Sequence, residues 1–164
     1  MHGYDPTAWA AFFAAVTGAA AALVGLLFVA VSINLDNILK NTMLPARAAE
    51  TLAILLFVMI SSALALVPQD VELLGAEILV IAVPLTAITA RSQLKFQRQN
   101  PDSPLRWSVS RAAASGVALV PGVIAGVSLA AHWSGGLYWL VPTALLGIAG
   151  AVYSAWVLLV EIVR

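Results

Sequence analysis

Apolar residues along the chain are grouped into five blocks of roughly 20 residues, the length that a helix needs to cross the hydrocarbon core of a bilayer. Short segments rich in Pro, Gly, Asn and Asp separate the blocks. Within each block the apolar residues are continuous and do not alternate with polar ones, which favours helices over barrel strands. The pattern predicts five transmembrane helices, at about 7–33, 48–67, 71–90, 112–131 and 137–160.

These blocks take up most of the chain, so no second folding unit is expected. We predict one all-α transmembrane domain over residues 1–164, built as a compact bundle of five helices. The single polar segment of any size is the loop at 91–111, between the third and fourth predicted helices.

Composition agrees with a multi-pass membrane protein. The chain is 62% hydrophobic and 10% charged, with a mean hydropathy of +0.97, whereas a soluble domain carries about 25% charged residues. This composition excludes a soluble globular enzyme and a disordered chain. A net charge of zero excludes a nucleic-acid-binding domain, which needs a basic excess. The absence of cysteine excludes disulfides, thiol catalysis and thiolate metal sites.

The basic residues predict the orientation of the helices. Through the N-terminal tail, the four loops and the C-terminus, Lys and Arg number 0, 2, 0, 5, 0 and 1. Because short cytoplasmic loops are enriched in Lys and Arg, we expect an external N-terminus and a cytoplasmic C-terminus in the plasma membrane. The zero net charge then divides into +4 inside and −4 outside. The outer acidic residues are Asp5, Asp70, Glu72 and Glu77.

Glycines at helical spacing indicate where the helices pack. Close backbone contact holds helices together in lipid, which is as apolar as leucine. The candidate packing positions are Gly18, Gly25, Gly122, Gly126, Gly147 and Gly150. We expect them to pack the bundle internally. In the alternative interpretation, the G-x-x-x-G of Gly122 and Gly126 forms an oligomer interface.

Glu77 is the main candidate for chemistry inside the membrane. It lies six residues into the third predicted helix, and a carboxylate at that depth usually faces the bundle interior or a watery cavity. Desolvation favours its neutral form, so Glu77 is a candidate ion or proton site. The alternative is a hydrogen-bonded glutamate near the membrane interface.

The cytoplasmic loop is the candidate contact surface. Basic residues interleave with Leu94 and Phe96, which indicates that the third helix continues past the membrane. The candidate contacts are Arg91, Lys95, Arg98, Arg106 and Trp107. Such residues anchor a chain on anionic lipid, at about 1 kcal/mol for each basic side chain. A docking surface for a protein partner is the compatible alternative.

Asn34, Arg47 and Glu50 form a candidate polar cluster at the cytoplasmic ends of the first two helices. Capping and snorkelling explain such residues equally well. His2 and His132 have no second nitrogen or sulfur ligand at metal-site spacing, so no metal site is expected. Walker, Rossmann, zincin and hydrolase motifs are absent from the sequence. We therefore expect no catalytic residues and no cofactor.

Two stretches carry a resemblance to a known group. The runs Gly25-Leu-Leu-Phe-Val-Ala-Val-Ser-Ile-Asn34 and Leu44-Pro-Ala-Arg-Ala-Ala-Glu-Thr51 resemble those of small, largely uncharacterised actinobacterial-type multi-span membrane proteins. Some members are labelled as modulators of an FtsH-type membrane protease. The resemblance covers the first two helices and implies no activity. It carries over no site residues, although Asn34, Arg47 and Glu50 lie within it.

Together these observations predict a small, non-catalytic integral membrane protein with a structural, regulatory or partner-binding role. The expected partners are the bilayer with anionic lipid at the cytoplasmic face, a homo-oligomer and another membrane protein, and not nucleic acid. The alternative function is an oligomeric channel or transporter subunit with Glu77 in an ion or proton path.

Overall fold

The computed structural model describes residues 2–33, 35, 44–99, 105–133 and 135–163, with side chains for 3–33, 35, 45–95, 97–98, 115–133 and 135–156. This part of the chain contains five long α-helices and no strand. They are α1 (Ala10–Ile33), α2 (Leu44–Leu64), α3 (Val71–Gln99), α4 (Leu105–Ala130) and α5 (Leu140–Val163). The prediction of an all-α protein is confirmed.

Short 3₁₀ helices modify the starts of the predicted segments. His2–Tyr4 and Pro6–Trp9 precede α1, and Gly136–Trp139 precedes α5. The Asp5 carboxylate caps the second of these turns by accepting a hydrogen bond of 3.1 Å from the Thr7 amide. These turns displace the α-helical starts by a few residues from the apolar boundaries in the sequence, because hydrophobicity does not distinguish a 3₁₀ turn from an α turn.

Within the described residues, four helical segments are long and apolar enough to span a membrane: Pro6–Ile33, Pro45–Leu64, Val71–Lys95 and Gly136–Trp156. In α4, the apolar part that the structure describes is the shorter stretch Ser115–Ala130. The chain is therefore a multi-pass membrane protein built as an all-α bundle.

The helix α2 occupies the centre of this bundle. It contacts each of the other four long helices, most extensively α1 and α5, while α4 packs along both α3 and α5. Leu55, Phe57 and Val58 on α2 are almost completely buried. In contrast, α1 lies at the edge of the bundle, and the side chains of Leu26 and Phe28 are largely exposed. The bundle thus buries α2 and presents one apolar face of α1 outward.

Three of the predicted packing glycines lie against other helices of the same chain. A Cβ atom built on any of them would lie 2.6–2.7 Å from a neighbouring side-chain atom. The contacts are Gly122 with Phe57, Gly126 with Leu79, and Gly147 with Val58. Gly122 and Gly126 therefore have their close contacts within the chain.

The glycines of α1 have different surroundings. No heavy atom of a neighbouring element lies within 4 Å of a Cβ built on Gly18 or Gly25, and both residues are exposed. Gly150 on α5 is half-buried. Among the long α-helices, the tightest glycine contact outside the predicted set is at Gly75 on α3, where a Cβ would lie 2.5 Å from the Ala130 backbone nitrogen.

The two ends of the bundle differ in charge. One end, called the acidic end, brings together the starts of α1, α3 and α5 with the ends of α2 and α4, and its described acids are Asp5, Asp70, Glu72 and Glu77. The opposite end, called the basic end, has as its described basic residues Arg47, Arg91, Lys95 and Arg98. None of the Lys or Arg side chains that the structure describes lies at the acidic end.

Candidate functional site

A hydrogen-bonded group of three polar side chains joins three helices at the basic end. Nε2 of Gln93 on α3 donates to Oε1 of Glu50 on α2 at 2.8 Å and to Oγ of Ser115 on α4 at 2.6 Å. We call Glu50, Gln93 and Ser115 the three-helix node. A carboxylate only accepts hydrogen bonds, so the amide nitrogen of Gln93, which carries two N–H groups, must face Glu50.

The node is largely shielded from solvent. Ser115 is 4% exposed, and Gln93 and Glu50 are half-buried. Thr89 lies one turn before Gln93 on the same face of α3 and is also buried. In such surroundings hydrogen bonds to a charged group contribute about 1.5–3 kcal/mol, and an unpaired polar group is costly. The node therefore fixes the end of α3 against α2 and α4.

The opposite face of α3 carries three basic side chains. Successive helical residues turn by about 100°, so Arg91, Lys95 and Arg98 lie within about 60° of one another, whereas Gln93 points about 200° from Arg91. All three basic side chains are exposed, and α3 is continuous through Gln99. We call Arg91, Lys95 and Arg98 the basic stripe. Gln93 holds this segment by one face and leaves the stripe accessible on the other.

The other predicted contact residues lie outside the described part. The side chains of Arg106 and Trp107, near the start of α4, and the whole of Asn34 are not among the described residues. Of the predicted polar cluster, Arg47 is half-buried, and its carbonyl accepts a hydrogen bond of 2.9 Å from Oγ1 of Thr51. The hydrogen bond from Gln93 connects Glu50, the third member of that cluster, to α3 and, through Ser115, to α4.

No family model, curated protein or solved structure matches this chain.

Glu77 is half-buried near the acidic end. Its Oε2 accepts a hydrogen bond of 2.9 Å from Nε2 of Gln69, and the same nitrogen donates to the Leu64 carbonyl at 3.2 Å. Gln69 follows α2 and Glu77 lies on α3, so these bonds join the two helices where the connecting segment is short. Burying a carboxylate in an apolar helix costs free energy, and the side-chain amide of Gln69 stabilises the carboxylate of Glu77 by donating a hydrogen bond to it.

A second group of contacts closes the acidic end. Nε2 of His132, in the turn after α4, lies 3.0 Å from Oε1 of Glu72 on α3. The rings of Tyr4 and His132 are 5.4 Å apart, and the Tyr4 hydroxyl donates to the Trp133 carbonyl. These contacts connect the N-terminal segment, α3 and the α4–α5 turn. Among the described residues, no group of three or more His, Cys, Asp or Glu side chains is placed to hold a metal ion.

Gln93, Thr89 and Ser115 were not among the residues that the sequence singled out. The sequence does contain a pattern that indicates a contact at Thr89 and Gln93. These two residues are four positions apart and lie on the face of α3 opposite the three basic residues. Two polar residues in line on the face turned away from a basic stripe indicate a polar contact with neighbouring helices. The partners Glu50 and Ser115 are 43 and 22 residues away in the chain, so local spacing does not identify them.

Proposed function

We propose that this chain is a non-catalytic, five-span protein of the plasma membrane whose basic stripe binds anionic phospholipid headgroups at the cytoplasmic surface. Its role in the membrane is then structural or regulatory, exerted through the position that this contact gives the end of α3. The N-terminus lies outside and the C-terminus lies in the cytoplasm.

The opposite charges of the two ends support this orientation. Four described basic side chains lie at one end and four described acids at the other, and cytoplasmic segments are the ones enriched in Lys and Arg. The length of α4 supports the fifth span, since its 26 residues extend about 39 Å at the helical rise of about 1.5 Å per residue, more than the hydrocarbon thickness of about 30 Å.

The arrangement of α3 is the observation that carries the proposal. Its 29 residues extend about 43 Å, so the helix exceeds the hydrocarbon core by several residues, and the basic stripe lies on this excess. Headgroup phosphates attract such side chains at about 1 kcal/mol each. Gln93 fixes the opposite face, which reduces the conformational entropy lost when the stripe meets a phosphate.

Neutralising the stripe tests this function. The triple variant Arg91→Gln, Lys95→Gln, Arg98→Gln is expected to insert normally but to lose its preference for anionic lipid, because glutamine keeps an unbranched polar side chain in the helix and removes the charge. The protein is purified from membranes in mild detergent, and the ratio of co-purified phosphatidylglycerol to phosphatidylethanolamine is measured by mass spectrometry. We expect this ratio to fall at least fivefold.

Arg47→Gln is the matched control, because Arg47 is a basic residue at the same end that lies on α2, outside the stripe. Its lipid ratio is expected to stay within twofold of the wild-type value. An unchanged ratio in the triple variant, with thermal unfolding unaltered, would show that the stripe does not bind anionic lipid.

A further inference from the structure

A groove opens at the acidic end between the N-terminal segment and the connection from α2 to α3. It has a volume of about 650 Å³, which lies within the range of about 300–1,000 Å³ typical of small-molecule sites. Pro6, Thr7 and Ala10 form one wall, and residues 65–70 form the other. Most of these residues are apolar, so the open groove offers an apolar body a surface on which to lie.

The side-chain donors of the groove are used within the protein. The amide nitrogen of Gln69 donates to Glu77 and to the Leu64 carbonyl. The Thr7 hydroxyl donates to the Asp5 carboxylate. What these two side chains retain for a ligand is therefore acceptor oxygen, which suits a cation and not an anion.

The charge that lines the groove is negative, which also favours a cation. Asp70 lines it and is exposed, and the described basic side chains Arg47, Arg91, Lys95 and Arg98 all lie at the opposite end of the bundle. Along α3 the distance from Val71 to Arg91 is about 30 Å at about 1.5 Å per residue, so basic residues at that end do not pair with Asp70. Within the described part of the chain, the groove thus combines mostly apolar walls with a carboxylate that has no Lys or Arg side chain at its end of the bundle.

We propose that this groove binds an amphiphilic organic cation, with its apolar body against Ala10, Leu66 and Val67 and its charged centre beside Asp70. An anion of equal size meets the Asp70 carboxylate, and the side-chain donors of Thr7 and Gln69 are already used, so we expect the groove to prefer the cation. This site is independent of the basic stripe, which lies at the other end of the molecule.

Tetraphenylphosphonium and tetraphenylborate test the proposal, because they are nearly equal in size and shape and opposite in charge. The full chain is placed in nanodiscs of uncharged lipid, and saturable binding of each ion is measured by equilibrium dialysis against empty nanodiscs. We expect saturable binding of the cation alone. Asp70→Asn should weaken it at least fivefold by removing the charge, and Ala10→Leu should do so by filling the groove.

Glu72→Gln is the control, because it removes an acid from the same end without altering the groove lining, and it should change the affinity less than twofold. Equal binding of both ions would overturn the proposal, as would the absence of saturable cation binding. An equal loss in Asp70→Asn and Glu72→Gln would also overturn it, because the cation would then respond to the general surface potential and not to the groove.

Discussion

Replacing Gly75 by alanine is expected to lower the free energy of unfolding by about 3 kcal/mol, the upper part of the range for overpacked interiors. The added Cβ would lie 2.5 Å from the Ala130 backbone nitrogen, 2.8 Å from the Gly126 carbonyl oxygen and 2.9 Å from the Leu129 Cβ. Two of these atoms belong to the backbone of α4 and the third is attached directly to it. No side-chain rotation relieves the contact, so α3 and α4 must separate.

Gly18→Ala is the matched control, because no heavy atom of a neighbouring element lies within 4 Å of its Cβ position. Alanine is also the better helix former by about 1 kcal/mol, so this variant should be as stable as the wild type or slightly more stable. Both proteins are compared by thermal and denaturant unfolding in the same detergent. If Gly75→Ala unfolded at the same midpoint as Gly18→Ala, the close approach of α3 and α4 at Gly75 would be refuted.

The contrast between these glycines shows what the sequence specifies about packing. Gly122 and Gly126 form a recognisable G-x-x-x-G, and both contact another helix of the chain. Gly75 has Val71 and Leu79 four residues away on either side, so it belongs to no small-residue motif, and its partner is on another helix. Gly18 and Gly25 also lie at helical spacing on α1, but both face away from the bundle. Spacing identifies a helix surface that permits close approach, and tertiary arrangement decides whether a helix occupies it.

The helices themselves were predictable for a different physical reason. Length and continuous hydrophobicity are local properties, so the predicted segment 71–90 lies within α3 and the segment 48–67 overlaps α2, which begins four residues and ends three residues earlier. The continuation of α3 to Gln99 followed from basic residues that alternate with apolar ones at helical spacing. The exposure of Arg91, Lys95 and Arg98 also agrees with their pattern, because charged side chains at one helical face avoid the apolar interior.

The three-helix node was not predictable in this way. Nearness in sequence and position at the same membrane end group Glu50 with Arg47 and Asn34, yet Glu50 accepts a hydrogen bond from Gln93 on α3. A glutamine within a basic segment has the composition of a solvated residue, and its burial depends on how α3 rotates about its axis against α2 and α4. That rotation is set by side chains along the whole interface, such as Leu74, Ile78 and Ala82, and not by residues beside Gln93.

Gln93→Leu is expected to destabilise the bundle by about 2–3 kcal/mol, since it removes a hydrogen bond to a charged group and a second hydrogen bond to Ser115. Leucine is an apolar side chain of comparable size, so the space is still filled while the donors to Glu50 and Ser115 are lost. The loss of stability is measured as the shift in the denaturant midpoint of unfolding, with the dependence of the unfolding free energy on denaturant concentration unchanged. Gln97→Leu is the control, because Gln97 lies one turn further along α3 and is exposed.

The same pair of variants separates a general loss of stability from a loss of positioning. If the node holds the basic stripe toward the membrane surface, Gln93→Leu should also reduce the ratio of co-purified phosphatidylglycerol to phosphatidylethanolamine, at a temperature well below its unfolding midpoint. Gln97→Leu should leave this ratio unchanged. Equal unfolding midpoints for Gln93→Leu and Gln97→Leu would show that the node does not stabilise the bundle. A reduced midpoint with an unchanged lipid ratio would show that the end of α3 keeps its position without Gln93.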